Sequence, residues 1–467
     1  MTRERPRVVV AGGGIAALET LLALHELVGR HASLELIAPG SEILLRPTSI
    51  ASPFGLGGPP PVLIAEAAAY CGAHHHCATL AEVRPAAREA VTAAGDAVAY
   101  DELIVAVGAR VADTFPGATA FGGPADIPAL AQVLDEAEAG VVRTLAFVAP
   151  SASGWTLPVY ELALMAAADL GARGASTEIV VVTAEPSPLW LFGERAGETL
   201  AALLDARAIR LVHGRASALA EGRLDLLDGP SLAADAAIVV PPVQGPWIHG
   251  LPSDERGFVV VDEFGRVDDV PGVWAAGDAT AFPIKQGGLA CQQADTVATA
   301  IAAELGVPVA TLPFRPVLRG LLLTGGAPLY LRAELEPSGV LRQGTSSRLR
   351  GEVSTRALWW PPGKVAGRYV APFLATARPP SLDREPLADR AVTASSPAPD
   401  RSEAMELALL LADADAAAGD YAQALHALDA AAALSGGVLP AEAAHRRDAW
   451  RPRIQPRPQP TPIEESP

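Results

Sequence analysis

Three consecutive glycines, Gly12 to Gly14, sit between a β-branched run, Arg7 to Ala11, and a stretch, Ile15 to Val28, with Leu and Ala at helical spacing. In GGGIAA, Gly12 and Gly14 fill the first two glycine places of a GxGxxG/A pattern and Ala17 fills the tolerant third. Gly12 permits a tight turn, Gly14 lets the backbone approach a diphosphate, and Ala17 lets strand and helix pack closely. Unpaired N–H groups at the helix start, around Ile15 and Ala16, then hold the anion. The chemistry expected of this turn is dinucleotide binding.

Two further strands end in glycine. DELIVAVGA, Asp101 to Ala109, closes on Ala106 and Gly108, and GVWAAGDATAFP, Gly272 to Pro283, closes on Gly277 and Asp278. Glycines let the chain come close to a cofactor, and an aspartate at a strand end can accept a hydrogen bond from a ribityl hydroxyl. KQGGLACQQAD, Lys285 to Asp295, follows and begins a helix whose positive end favours a negative charge in front of it.

The elements that must position these residues form an α/β chain. At 467 residues the sequence is too long for one core, and half of it is hydrophobic. The expected class is α/β, with two Rossmann-like domains, a small C-terminal α+β domain and a helical hairpin. The first domain is discontinuous, 1–118 and 236–312, with a second dinucleotide-type domain, 119–235, inserted. A domain at 313–376, a linker at 377–401, a hairpin at 402–450 and a disordered tail at 451–467 complete the expectation. Pro313 to Ala333 reads as a β-hairpin turning at TGGAP.

The formal net charge of -17 argues against nucleic acid and against long-range attraction to anionic lipid. No run reaches the length of a spanning helix, and no secretory leader is recognisable. Three cysteines, Cys71, Cys77 and Cys291, make no disulfide framework, so a reducing cytoplasm is the expected location. Cys71 and Cys77 bracket His74, His75 and His76, but neighbouring strand positions point to opposite faces, so no metal is expected.

The three motifs in this order resemble those of FAD-dependent oxidoreductases with two dinucleotide-binding domains, in the branch of sulfide:quinone oxidoreductases and type II NADH dehydrogenases. GGGIAALE is similar to that group's GGGxxGLE, AVG to its ATG and AAGDAT to its A(A/I)GDxT, over about residues 7 to 375. The resemblance implies FAD along Gly12 to Ala17, Asp278 at the ribityl chain, Arg46 and Pro47 near the flavin and Val83 at the adenine. It also implies Ala106, Gly108, Gly277, Lys285, Gln286 and Gly287 at the cofactor. Gln293 is implied in a quinone site that Trp359 and Trp360 help to wall, with peripheral contact at the inner face of a membrane.

The sequence departs from the group in three places. Ala38 and Pro39 stand where an acid usually binds the adenosine ribose, with Glu42 or Ser41 as the substitutes on offer. FVAPSASGWTLPVYE, residues 147 to 161, keeps the shape of a second nucleotide entry and Glu161 on its helix, yet Trp155, Leu157 and Pro158 crowd the turn. No cysteine follows Cys291, so the cysteine chemistry of sulfide oxidation has no pair to work with. The expected activity is transfer of two electrons from an unidentified donor through FAD to a quinone or similar acceptor. A nicotinamide donor is the alternative, and a flavin-retaining interaction protein, using the hairpin for a second copy or a partner, is the alternative of another kind.

Overall fold

The computed structural model describes residues 5–43, 45–56, 61–149, 154–340, 351–376 and 439–450, with Leu409, Leu425, Leu428 and Ala432 singly. The expected linker, most of the expected hairpin and the tail lie outside these residues.

Arg7–Ala11 is the central strand of a parallel five-stranded sheet ordered Val273–Ala275, Glu102–Val105, Arg7–Ala11, Ser33–Ile37, His74–His76. Its side chains from Val8 to Ala11 are fully buried, as a β-branched strand covered on both faces must be. The helix Ile15–Val28 crosses one face and packs on the long helix Gly287–Glu304. A second parallel sheet is ordered Thr119–Ala120, Ala236–Val239, Thr144–Val148, Glu178–Thr183, Arg210–His213. The helix Leu157–Ala172 lies against it. The chain is thus two Rossmann-like α/β units, with the second sheet's strands falling between strands of the first.

The third layer is antiparallel. Val317–Leu322 pairs with Leu329–Glu334, which pairs with Glu352–Ser354. Burial alternates along the first two strands, and Leu318, Leu322, Leu329 and Leu331 join the core around Tyr160, Leu164 and Phe192. Gly320 matters to this contact, because a Cβ there would lie 2.7 Å from the Phe192 ring.

Two stretches of extended chain are each divided between sheets. Ala73 to Leu80 is His74–His76 at the parallel sheet's edge, and Leu80 then opens an antiparallel sheet of Leu80–Arg84, Glu89–Thr92 and Ala97–Ala99. Ala97 to Val107 divides likewise between that sheet and Glu102–Val105. An apolar run shows burial but not the point at which the hydrogen-bonding partner changes. At the sheet's edge, His76 pairs with Glu35 at 2.7 Å while the His75 ring meets the Ala38 carbonyl at 3.1 Å.

Between the two packed helices lies an acid pair, the buried Glu19 and the half-buried Asp295, joined by a side-chain hydrogen bond. Burial first, then the neighbouring Glu19 charge, lifts Asp295 from an ordinary 3.8 to about 8. The folded chain therefore binds more protons than the unfolded one between these values, and stability falls as pH rises through that window. Asp295→Asn carries no such penalty. Its thermal midpoint is expected to match the parent near pH 4 and to exceed it by a few degrees at about pH 8; a constant difference across pH, read by calorimetry, contradicts this.

Candidate functional site

One cavity of about 490 Å³ runs between the two Rossmann-like units and the C-terminal sheet. The glycine turn forms one wall. Gly12 adopts φ +146° and a Cβ there would meet the Ala106 carbonyl oxygen at 2.1 Å, so only glycine closes the turn against the neighbouring strand. Gly14, in contrast, has an ordinary extended conformation, and a Cβ on it would meet nothing within 4 Å. Its freedom is needed by what enters the cavity and not by the protein around it.

Gly14, Ile15, Ala16, Arg46, Pro47, Ala106, Gly108, Asp278, Lys285, Gln286 and Gly287 all line this cavity. Arg46 and Pro47 are delivered by a 3₁₀ helix, Arg46–Phe54. Glu42 also reaches the wall beside Pro39, at the end where the usual strand-end acid is missing. Gln286 caps the helix Gly287–Glu304: its Oε1 accepts from the Leu289 N–H at 2.8 Å while its Nε2 donates to the Arg319 carbonyl at 3.0 Å. The helix start is thereby fixed at the cavity, where its dipole favours negative charge.

Asp278 has no hydrogen-bond partner among the described residues although burial raises its pKa, an effect that Lys285 and Arg46 offset. Lys285 donates to the Thr280 carbonyl at 2.5 Å and lies 3.7 Å above the Phe258 ring. Burial lowers its pKa to about 8, with Asp278 pulling the other way.

Several expected site residues do not reach the cavity. Gly12 and Ala17 form the underside of the turn, which is the packing role their small size suits. Val83 is buried in the antiparallel sheet, with its N–H donating to His249 and its carbonyl packed against Gly250. Gly277 is buried, and its N–H donates to Gln293 Oε1 at 2.8 Å. Gln293 Nε2 meets Thr280 Oγ1 at 3.3 Å, so this amide braces the Gly277 turn and does not line the cavity. Trp359 donates to the Gly363 carbonyl and stands edge-on to Tyr330, while Trp360 is 87% exposed. Neither indole lines the cavity: Trp359 is held against Tyr330 of the C-terminal sheet and Trp360 is exposed to solvent.

The opposite wall was the less legible one. Gly154, Trp155, Thr156, Leu157 and Glu161 from the second unit face Arg319, Gly320, Leu321 and Lys364 from the C-terminal segment. Glu161 is fully buried. Its Oε1 accepts from the Leu323 N–H at 2.9 Å and from Lys364 Nζ, while Oε2 has no partner among the described residues. Burial raises the Glu161 pKa, and the Lys364 charge offsets part of the rise.

Glu185, at the end of the second strand of this unit, is 2% exposed and internally satisfied. It accepts from Thr156 Oγ1 at 2.8 Å, from Tyr160 OH at 2.5 Å and from Thr183 Oγ1 at 3.3 Å. Burial raises its pKa and the three hydroxyls offset this. The intervening turn, residues 150–153, lies outside the described residues.

The cavity fits a flavin dinucleotide on its own evidence. It offers an anion-accepting helix start at an open Gly14, a second glycine corner at Gly108, and an unpartnered Asp278 able to accept from a polyol chain.

The comparisons with known proteins agree. Residues 6–303 match the pyridine nucleotide-disulphide oxidoreductase family. The fold is similar to the sulfide:quinone oxidoreductase from the hyperthermophilic bacterium Aquifex aeolicus, with TM-score 0.64 and 19% identity over 79% of this chain and 90% of that one. It is also similar to a ferredoxin reductase from Rhodopseudomonas palustris, with TM-score 0.56 and 18% identity over 71% of this chain and 83% of that one. No curated protein sequence matches the chain. With the family matched across the greater part of the sequence and the cavity built as described, the chain belongs to the pyridine nucleotide-disulphide oxidoreductase family and is an FAD-dependent oxidoreductase.

Proposed function

We propose that the protein passes two electrons from a donor other than a nicotinamide nucleotide, through FAD, to an acceptor of the quinone class. The observation that carries this reading is Glu161. A fully buried carboxylate with one oxygen unpartnered, in a wall of Trp155, Leu157 and Leu321, suits an apolar planar ligand with a polar edge.

In this reading Gly14, Ile15 and the helix start hold the diphosphate of FAD, Asp278 accepts from its ribityl chain, and Gln286, Gly287 and Lys285 stand at the flavin end. Bound FAD supplies the ability to take up and release an electron pair. The chain's own residues handle the protons. Reducing a quinone to its quinol consumes two electrons and two protons, and the Lys364–Glu161 pair in the cavity wall, with Lys364 in front and the buried Glu161 behind, can hold one of those protons. Trp155 and Leu157 exclude water from the same wall.

A nicotinamide donor is disfavoured by Glu185. Strand-end acids of this kind hold a nucleotide ribose, and here the acid is already bound by Thr156, Tyr160 and Thr183. Cys71 and Cys291 are buried and Cys77 is exposed, and none lines the cavity, so sulfide oxidation through a cysteine pair is disfavoured as well. Among the described residues no helix is long and apolar enough to cross a membrane. In this reading a quinone is met by peripheral contact at the inner membrane face, and a second copy or protein partner engages the C-terminal extension.

The test is anaerobic addition of NADH, NADPH and sulfide in turn to the FAD-loaded protein, following its visible flavin absorption. None is expected to bleach it within the turnover time of a typical oxidoreductase. Rapid bleaching by NADH would sink the donor assignment.

A further inference from the structure

The Glu19–Asp295 pair is not used by the reading above, yet it lies directly behind the cavity. Glu19, on the helix Ile15–Val28, is fully buried and accepts from the N–H groups of Tyr369 at 2.9 Å and Val370 at 2.5 Å. Asp295, two turns into the helix Gly287–Glu304 beyond Gln286, hydrogen-bonds to Glu19 and leaves Oδ1 buried without a partner. Gly367 closes the other side, where a Cβ would lie 2.6 Å from Glu19 Oε2 and 2.9 Å from Cys291 Sγ. Two carboxyl groups so placed cannot both ionise cheaply, so one proton is shared between them.

Arg319 connects this pair to the cavity. Its carbonyl holds the Gln286 cap, it lines the cavity, and its charge interacts with Asp295. Burial lowers its pKa, the nearby Arg332 adds to that, and Asp295 opposes it. The other charged or titratable groups facing the pair are Arg368 and Tyr369 on the C-terminal segment, Cys291 on the long helix and, through Tyr369, Glu26.

We propose that Arg319 sets the reduction potential of the bound FAD, and that the Glu19–Asp295 pair behind it is a one-proton store controlling how much of that positive charge reaches the cavity. With the shared proton in place the pair carries one negative charge and Arg319 acts on the cavity. Once the proton is lost the pair carries two, and Arg319 is largely compensated from behind.

Two-electron reduction accompanied by one proton leaves negative charge in the cavity, which draws Arg319 forward and raises the pair's affinity for a proton. Within the window where the store is empty before reduction and full after it, one more proton is taken from solvent per electron pair. The Asp295 acidity of about 8 puts this window at and above that pH. The inference rests on FAD occupying the cavity.

The experiment is a dye-equilibrated anaerobic titration of the FAD-loaded full chain at a series of pH values. In the wild-type protein the midpoint potential should fall more steeply above about pH 8 than below it, by one extra tenfold step in the equilibrium per pH unit, about 30 mV for a two-electron couple. Asp295→Asn should remove the extra slope, and Glu19→Gln, which leaves the burial of Asp295 but not the neighbouring charge, should move its onset to lower pH. Arg319→Gln should lower the midpoint below about pH 8 by a tenfold change in the equilibrium constant or more, and by less where the pair is fully ionised. A single wild-type slope throughout overturns the proposal, with no variant needed, and so does an unchanged midpoint in Arg319→Gln. Colour is checked first, so that failure of the cofactor reading shows as colourless protein and failure of this inference as coloured protein with one slope.

Discussion

Gly14→Val is expected to yield a folded protein that binds no FAD. In the structure the position has φ -113° and ψ -169°, a conformation that suits a β-branched residue, and an added Cβ meets no atom within 4 Å. The protein leaves room for a Cβ there, and the cost of valine at this helix N-cap is small beside the effect on the cofactor. The same methyl groups fill the space through which a diphosphate must approach the helix start, so affinity for FAD should fall at least ~100-fold. Thermal melts separate the two effects. The variant should melt with the parent in the absence of FAD, and only the parent should gain stability as FAD is added. Gly12→Ala is the contrasting control. Its Cβ would lie 2.1 Å from the Ala106 carbonyl oxygen at φ +146°, so it should destabilise the protein itself by upward of about 4 kcal/mol. Equal FAD affinity in Gly14→Val and the parent would remove the turn from the binding site.

Glu161→Gln should leave FAD in place and slow acceptor reduction by roughly 100- to 1000-fold. The amide keeps an oxygen for the Leu323 N–H, so the helix Leu157–Ala172 and the strand Val317–Leu322 stay joined. What is lost is a group able to hold a proton at the unpartnered oxygen, together with the charge that pairs with Lys364. Pre-reduced protein mixed with a short-chain quinone isolates this step from the unknown donor. Lys364→Gln should slow the same step, because Glu161 then loses the charge that keeps it ionised, and burial alone favours its neutral form. Reoxidation at the parent rate in Glu161→Gln would show that the buried acid is structural only.

These two sites differ in how far the sequence reveals them. The turn at Gly12 to Gly14 is legible because strand, turn and helix are adjacent in the chain and each glycine has a local reason to be there. Asp278 and Gln286 are legible for the same reason. The partnership of Glu161 and Lys364 is not, since 203 residues separate them and only the docking of the C-terminal sheet brings them together. Glu185 is a contrasting case: it stands at a strand end, as a ribose-binding acid would, but Thr156 and Tyr160 occupy it from the preceding helix.

Trp359 and Trp360 show the limit of reading composition. Paired indoles beside basic residues suggest a ligand wall, whereas hydrogen bonding and ring contacts set Trp359 against Gly363 and Tyr330, away from the cavity. A usable signal lay elsewhere in the composition. Of 36 basic residues only two, Lys285 and Lys364, are lysine, and both line the cavity. An ammonium is a compact point charge and a guanidinium a planar fork, so lysine in a chain that otherwise uses arginine singles out these two positions.

The most direct test of the account is to reduce the FAD-loaded protein with dithionite, remove the excess without oxygen, and mix it with a short-chain ubiquinone analogue. Return of the visible flavin absorption, with one quinol formed per FAD and with Glu161→Gln slowed, is the result the account predicts. Protein that stays bleached with quinone, or that loses its colour as soon as NADH is added to the oxidised form, would contradict it.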